Sequence, residues 1–368
     1  MHKPTLMLAL AGGMALSAGA VNAEDKLSVQ TMRYREDDQR MDIDYITFGL
    51  EKDFGTDYSL KLDYGYDAIS GATPVWKPHP TQVGEFVESR QTLAKEIRRA
   101  ASGALTLRDK ARNEYTVGGA YSDELDFKSA EISAAVIFWH DELHNRSYNA
   151  GIGVQDNTAI ATPFTNNARD ADSRAYNVQL GVTEVLDATS TLEATLFGGR
   201  ESGYLSNHYL KIVRLQDDGS KLLVGDSRPD RRNSAGFTLR WIRAWQPTFT
   251  SNLWYRYYHD SWGINAHTVE SKLYWDATAW LRVNPVYRWQ WQDRANFYRA
   301  YNGQPNMFAT TGYGSNDARL GRFTVQTAQL NLEFRPLKQH SINVGYSHYW
   351  QSNGFAADWI TAGYIWKF

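Results

Sequence analysis

Trp359-Ile360-Thr361-Ala362-Gly363-Tyr364-Ile365-Trp366-Lys367-Phe368 closes the chain, and its reading decides the fold. Side chains of a strand alternate between two faces. One face here is Ile360, Ala362, Tyr364, Trp366 and Phe368, all apolar; the other carries Thr361, Gly363 and Lys367. In a soluble protein such a strand would leave an exposed apolar edge. A transmembrane barrel needs it as its closing strand, with lipid on one side, lumen on the other and an aromatic residue at the interface.

Working outward, Thr361, Gly363, Trp366 and Phe368 resemble the C-terminal signal that hands bacterial outer-membrane proteins to the barrel assembly machinery. Residues 1–23 read as a cleaved secretory signal: Lys3 supplies the charged start, Leu6 to Leu16 the apolar core, and Val21-Asn22-Ala23 the small-residue cleavage pattern. The barrel domain is then 24–368. The apolar core is shorter than the ~20 residues of a membrane helix, and no longer apolar run follows. Mean hydropathy is −0.52, a value a barrel tolerates because only one face of each strand is apolar. The 22 Tyr and 13 Trp suit two interfacial girdles. Cysteine is absent, which excludes disulfides, thiol chemistry and Cys-ligated metals. A net charge of −2 gives no support for nucleic acid as a partner.

Alternation marks an all-β, antiparallel up-and-down barrel of sixteen strands, with fourteen to eighteen left open by the ambiguous 68–112 and 292–318 regions. The expected spans are 27–36, 40–52, 57–67, 97–108, 113–122, 129–140, 147–156, 173–185, 190–200, 234–245, 248–259, 267–276, 280–291, 318–334, 340–351 and 359–368. Every second connection is short. The others include the long segments 68–96, 157–172, 201–233 and 292–317. Outer-membrane barrels sort their loops this way, which puts both termini in the periplasm.

Function is expected on the lumenal face. Strand parity turns Arg240, Arg256, Arg282 and Arg288 inward, with Glu270, Lys272 and Asp276 between them, and Lys61, Asp63, Glu193 and Glu333 elsewhere. Either the arginines form a ladder for anionic solutes, or paired charges line and plug the barrel; the second is the expectation favoured. At the outer rim Tyr258, Asp260, Trp262 and His267 make a dense hairpin, read as an aromatic girdle in preference to a ligand mouth. Arg228, Asp230 and Arg231 stand in the long 201–233 segment, which with 292–317 is expected to fold inward or over the mouth.

This hairpin also carries a resemblance. With Asp67-Ala68-Ile69-Ser70-Gly71-Ala72, Tyr121-Ser122-Asp123-Glu124, Gly203-Tyr204-Leu205-Ser206, Arg228-Pro229-Asp230-Arg231, Phe297-Tyr298 and Ser315-Asn316-Asp317-Ala318-Arg319-Leu320, it resembles a family of uncharacterised, porin-like bacterial outer-membrane barrels, a domain of unknown function. His259 and Asn296 stand where that family's pattern has acidic residues. The resemblance implies an outer-membrane barrel and no established substrate. It also implies a redox or metal connection, because relatives are encoded beside flavin-transferase-like and thioredoxin-like proteins.

Three further places hold residues of catalytic or metal-binding type. His348 to Gly354 resembles the His-x-Ser-Asn-Gly segment of outer-membrane phospholipases, but His348 and Ser352 stand four apart, roughly 13 Å along a strand. Asp260 with His267, or Asp123 with Glu124, would have to form a rim protease site. His140 and His144 have the spacing of a zinc pair on a helix yet fall on a strand end and tight turn. The expectation is therefore no enzyme, no cofactor and no metal. The leading function is a channel for small polar or anionic solutes in contact with outer-membrane lipid. The alternative is a non-conducting barrel that anchors a periplasmic or surface partner; a lipid hydrolase or protease comes third. Oligomeric state is left open.

Overall fold

The structure is a computed structural model and describes residues 25–37, 40–300 and 307–368. The signal sequence read at 1–23 lies outside the described residues. In chain order the strands are β1 Lys26–Glu36, β2 Met41–Phe54, β3 Tyr58–Pro78, β4 Phe86–Arg108, β5 Glu114–Asp123, β6 Phe127–Trp139 and β7 Arg146–Ala159. They continue as β8 Ala171–Asp187, β9 Ser190–Gly203, β10 Lys211–Leu215, β11 Lys221–Gly225, β12 Arg231–Gln246, β13 Phe249–Asp260 and β14 Asn265–Thr278. The last are β15 Leu281–Gln292, β16 Met307–Phe308, β17 Phe323–Leu337, β18 His340–Gln351 and β19 Ala356–Lys367.

Sixteen of these close into an antiparallel barrel in which each strand pairs with its neighbours along the chain. The terminal strand makes the closure as its alternation requires: β19 pairs with β1 from Lys26↔Lys367 to Glu36↔Ala357. Ile360, Tyr364, Trp366 and Phe368 face outward, 39–57% exposed. The same holds around the ring, with Ile132 71%, Ile152 63% and Leu196 63% exposed. In water that apolar belt would cost ~25 cal/mol per Å²; in a bilayer it is the solvent-matched surface. The chain is a closed sixteen-stranded antiparallel β-barrel whose apolar outer belt suits a bilayer.

All the turns at the end that holds the termini are short, and all the long connections leave the opposite, loop end. Register shifts at Val185/Asp187, Ala244/Gln246, Asp276/Thr278 and Phe334/Leu337 mark the terminal-end turns, where a bulge ends pairing and turns the strand. Two expectations are corrected. The 68–96 segment, read as loop, continues β3 and β4 as a hairpin past a register shift at Ile69/Gly71, because the shift breaks the alternation without breaking the ladder. The start of the 318–334 strand is a 3-10 turn, Ala318–Leu320, in which the Asp317 carboxylate caps the Arg319 N–H.

Candidate functional site: lumen and mouth of the barrel

The inward charges lie in rows across neighbouring strands, because paired residues of a barrel share one face. One row runs Glu193, Arg240, Trp254, Glu270, Arg288 through the pairings of β9, β12, β13, β14 and β15. Arg240 holds Glu193 at 3.2 Å, and Glu270 receives both Arg288 at 2.8 Å and Lys272 at 3.0 Å. Nearer the terminal end, Asp276 takes Arg282 at 2.7 Å and Arg335 at 3.1 Å, and Arg335 also holds Glu333 at 2.9 Å. Lys61 and Asp63 approach only to 3.9 Å, half in solvent. The arginines are inward, as parity required, and most are neutralised pairwise.

Arg256 differs. Its row contains Thr238 and Thr268, its register partners on β12 and β14, and no acid. Among the described residues it makes no ion pair. Its guanidinium rests 4.6 Å from the Phe197 ring centroid and 5.6 Å from that of Tyr258. Gly236 makes the first contact possible: a Cβ there would lie 2.4 Å from the Phe197 ring and 2.1 Å from the Tyr257 carbonyl. Without that Cβ, the ring lies across β12 and reaches β13.

At the mouth, residues 204–230 form a strap. It leaves β9 and returns to β12, which are half a circuit from the β1–β2 side of the barrel. Tyr209 packs on the cluster of Tyr34, Met41, Ile43, Ile69 and Ala357 from β1, β2, β3 and β19. The strap therefore spans the mouth. Asn166, in the β7–β8 loop, secures its middle by donating to the carbonyls of His208 and Leu210. The β10–β11 hairpin of the strap joins β16 of the 293–322 loop in a three-stranded sheet, and Arg214 donates to the Ala309 and Gly312 carbonyls at 2.7 and 2.6 Å.

Buried charge pins the two loops together. Arg228 spans Asp226 at 2.6 Å and Asp317 at 2.8 Å, with both carboxylates wholly buried. Arg319 also holds Asp317, its Nε at 3.0 Å. Burial pushes the Asp226 carboxyl above its ordinary range even though Arg228 pulls the other way. Beside this pin, Trp262, Ile264, Ala295 and Leu320 form an apolar cluster with Leu205, Tyr258, Phe297 and Tyr298. Asp260 underlies it, accepting from the backbone N–H of Trp262 and Ile264, from both Arg232 donors and from Tyr258 Oη at 3.0 Å. The Gly203–Ser206, Arg228–Arg231, Phe297–Tyr298 and Ser315–Leu320 motifs thus meet the Tyr258–Ile264 hairpin in one mouth assembly.

The structure separates other candidates. Trp262 is 4% exposed with its indole N–H on the Arg231 carbonyl, and Tyr258 packs in the same mouth cluster, so these two form neither the expected lipid-facing girdle nor an open ligand mouth. Asp230 and Arg231 are exposed and outside the ionic pin. His267 turns to the lipid face with Tyr255, Tyr257 and Trp291, whereas Asp260 turns inward, so no dyad forms. His348 pairs with Asp358 at 2.8 Å on the outer face; Ser352 pairs instead with the Thr324 backbone. The lipase-like arrangement is absent from these residues. His140 meets the Tyr148 ring edge-on and His144 lies tilted against Trp139, so the two imidazoles engage different rings. Gly363 lies among the lumenal positions of β19, and Trp366 and Phe368 stack outside at 5.0 Å.

Sequence reasoning missed one cluster. Glu96, Glu124 and Asp126 are buried with carboxylate oxygens within 4.8 Å of one another, and His208 of the strap brings Nε2 to 3.6 Å from Asp126. Such a donor set suits a hard divalent cation, although all three acids also engage other groups. Only Glu124 stood in a recognisable motif; Asp126 lies two residues on, and Glu96 and His208 come from two distant segments.

The barrel is similar to a monoaromatic hydrocarbon channel, CymD, at 5% identity and a TM-score of 0.46, covering 95% of this chain and 89% of that one. It is similar to Pseudomonas aeruginosa OccK5 (OpdH) at 10% identity and a TM-score of 0.45, covering 95% and 100%. It also resembles the ferric enterobactin receptor PfeA of Pseudomonas aeruginosa at 11% identity and a TM-score of 0.46, spanning 89% of this chain but 53% of the receptor. Nothing about substrate follows from likeness of this degree. No curated protein matches in sequence. Residues 5–365, nearly the whole chain, match the family described as Protein of unknown function (DUF3570), and the chain belongs to that family.

Proposed function

We propose that the protein is an outer-membrane channel for small polar solutes with a preference for anions, its termini in the periplasm and its mouth constricted by the 204–230 strap. A ring of sixteen strands is of the size at which barrels leave an aqueous channel. The observation that carries the anion preference is Arg256, a lumenal cation with no acid partner among the described residues, beside rows in which other arginines are neutralised. A unit charge ~7 Å from a passing ion is worth about 0.6 kcal/mol in water, so anion and cation differ by about 1.2 kcal/mol, roughly eightfold.

The test is conductance of the refolded protein in a planar bilayer under a dilute salt gradient, because salt screens the effect. Stable channels whose reversal potential favours anions, with the preference lost in Arg256→Gln, support the reading. Channels with no ion preference in either protein remove the role of Arg256. A second reading, a non-conducting barrel serving a partner, is favoured by the strap that spans the mouth. Absence of channels at every voltage, from protein with normal heat-modifiable migration, supports that reading and overturns the first.

A further inference from the structure

The lipid face near the terminal-end turns of β12 to β15 carries a groove of about 600 Å³ walled by Trp245, Phe249, Leu273, Trp275, Val283 and Pro285. Its volume falls within the ~300–1,000 Å³ of ordinary small-ligand sites. Pro285 accounts for the opening. It has no backbone N–H to donate, and the β14–β15 ladder passes from Lys272↔Val286 to Trp275↔Val283 with no pairing between. Trp245 and Trp275 line the groove, 52% and 51% exposed.

A cation borders this apolar groove. Arg243 lies on the same outward face of β12, its guanidinium 4.7 Å from the Trp245 ring centroid and 6.0 Å from that of Trp241. Its Nε is shut off from solvent and finds no hydrogen-bond acceptor among the described residues. The Asp187 carboxylate, in the adjoining turn, lies within reach of the Arg243 charge, but its hydrogen bonds come from Thr189 and Ser190. A donor without an acceptor, beside an apolar groove at the membrane interface, matches an amphiphile with an anionic head.

We propose that this groove holds one phospholipid, an acyl chain against Trp245, Trp275 and Pro285 and its phosphodiester on Arg243. The site lies at the end assigned above to the periplasm, where the leaflet is glycerophospholipid. It does not depend on conduction.

Native mass spectrometry of the full barrel in mild detergent, titrated with phosphatidylglycerol, tests the proposal. One lipid should persist at energies that strip the rest. Arg243→Gln should lower its occupancy about tenfold, the scale of one charge-assisted contact. Diacylglycerol, which lacks the phosphate, should not persist. Leu273→Trp, which fills the groove and leaves the cation, should also remove the bound lipid and guards against misfolding of the arginine variant. Equal retention by the variants, equal retention of diacylglycerol, or assembly of barrels cross-linked through Trp275→Cys with no lipid bound would each overturn it.

Discussion

Arg228→Ala should release the strap without unfolding the barrel. Arg228 is 9% exposed and bridges two carboxylates that are fully buried. Breaking a buried ion pair by removing one partner costs about 3–5 kcal/mol, since the remaining charge stays desolvated. Here Asp317 keeps Arg319, and Asp226 keeps the Asn207 backbone N–H at 2.8 Å. The cost therefore falls at the low end, about 3 kcal/mol, a change of roughly 150-fold in the ratio of docked to released strap. Hydrogen exchange reads this directly. The reciprocal Ser227 and Gly314 backbone bonds join the two loops, and their amides should exchange up to two orders of magnitude faster. Amides of β12 and β13 should not change. Arg228→Lys should recover little, because an ammonium cannot bridge both carboxylates as a guanidinium fork does. Unchanged exchange at Ser227 and Gly314, or equal acceleration in the barrel strands, would refute the reasoning.

Other outcomes follow from the same geometry. Because burial raises the Asp226 carboxyl, it holds a proton more tightly when the strap is docked than when it is released. Docking should therefore strengthen as pH falls towards the ordinary carboxylate range and weaken as pH rises through the raised value; bilayer current should fall on acidification, and Asp226→Asn should flatten that response. Asp67→Ala should lower the thermal midpoint of heat-modifiable migration by the equivalent of about 3 kcal/mol, since it strands Arg98, whose guanidinium is 2.7 Å from Asp67 and 6% exposed. Removing Phe368, or Trp366→Ala with it, should reduce the assembled fraction in outer-membrane extracts while protein refolded in detergent still closes its barrel; normal assembly would deny these residues a role as signal.

Much of the barrel was legible because its determinant is local. A period of two, repeated in Tyr176, Val178, Leu180 and Val182 or in Ile342, Val344 and Tyr346, sets which residues meet lipid, and ring closure then turns the alternate set inward. Thus Arg240, Arg256, Arg282 and Arg288 could be placed inside from parity alone. Their chemical state could not. Whether an inward arginine is neutralised depends on which residue stands opposite on the next strand: Glu193 for Arg240, Glu270 for Arg288, and only threonines for Arg256.

The mouth lies further beyond sequence reading. Arg228 and Asp317 are 89 positions apart, and His208 of the strap meets Asp126 of the β5–β6 connection. Loops carry no periodicity to reveal such partners; they meet because the closed ring brings its rim positions around one opening. The sequence by itself determined the strands, their faces and the closing edge, since alternation is written residue by residue. The strap's path, the pairing of Arg240, Arg282 and Arg288 and an Arg256 left without an ion pair among the described residues were decided only in the tertiary structure, because desolvation and ion pairing depend on neighbours that the chain supplies from distant segments.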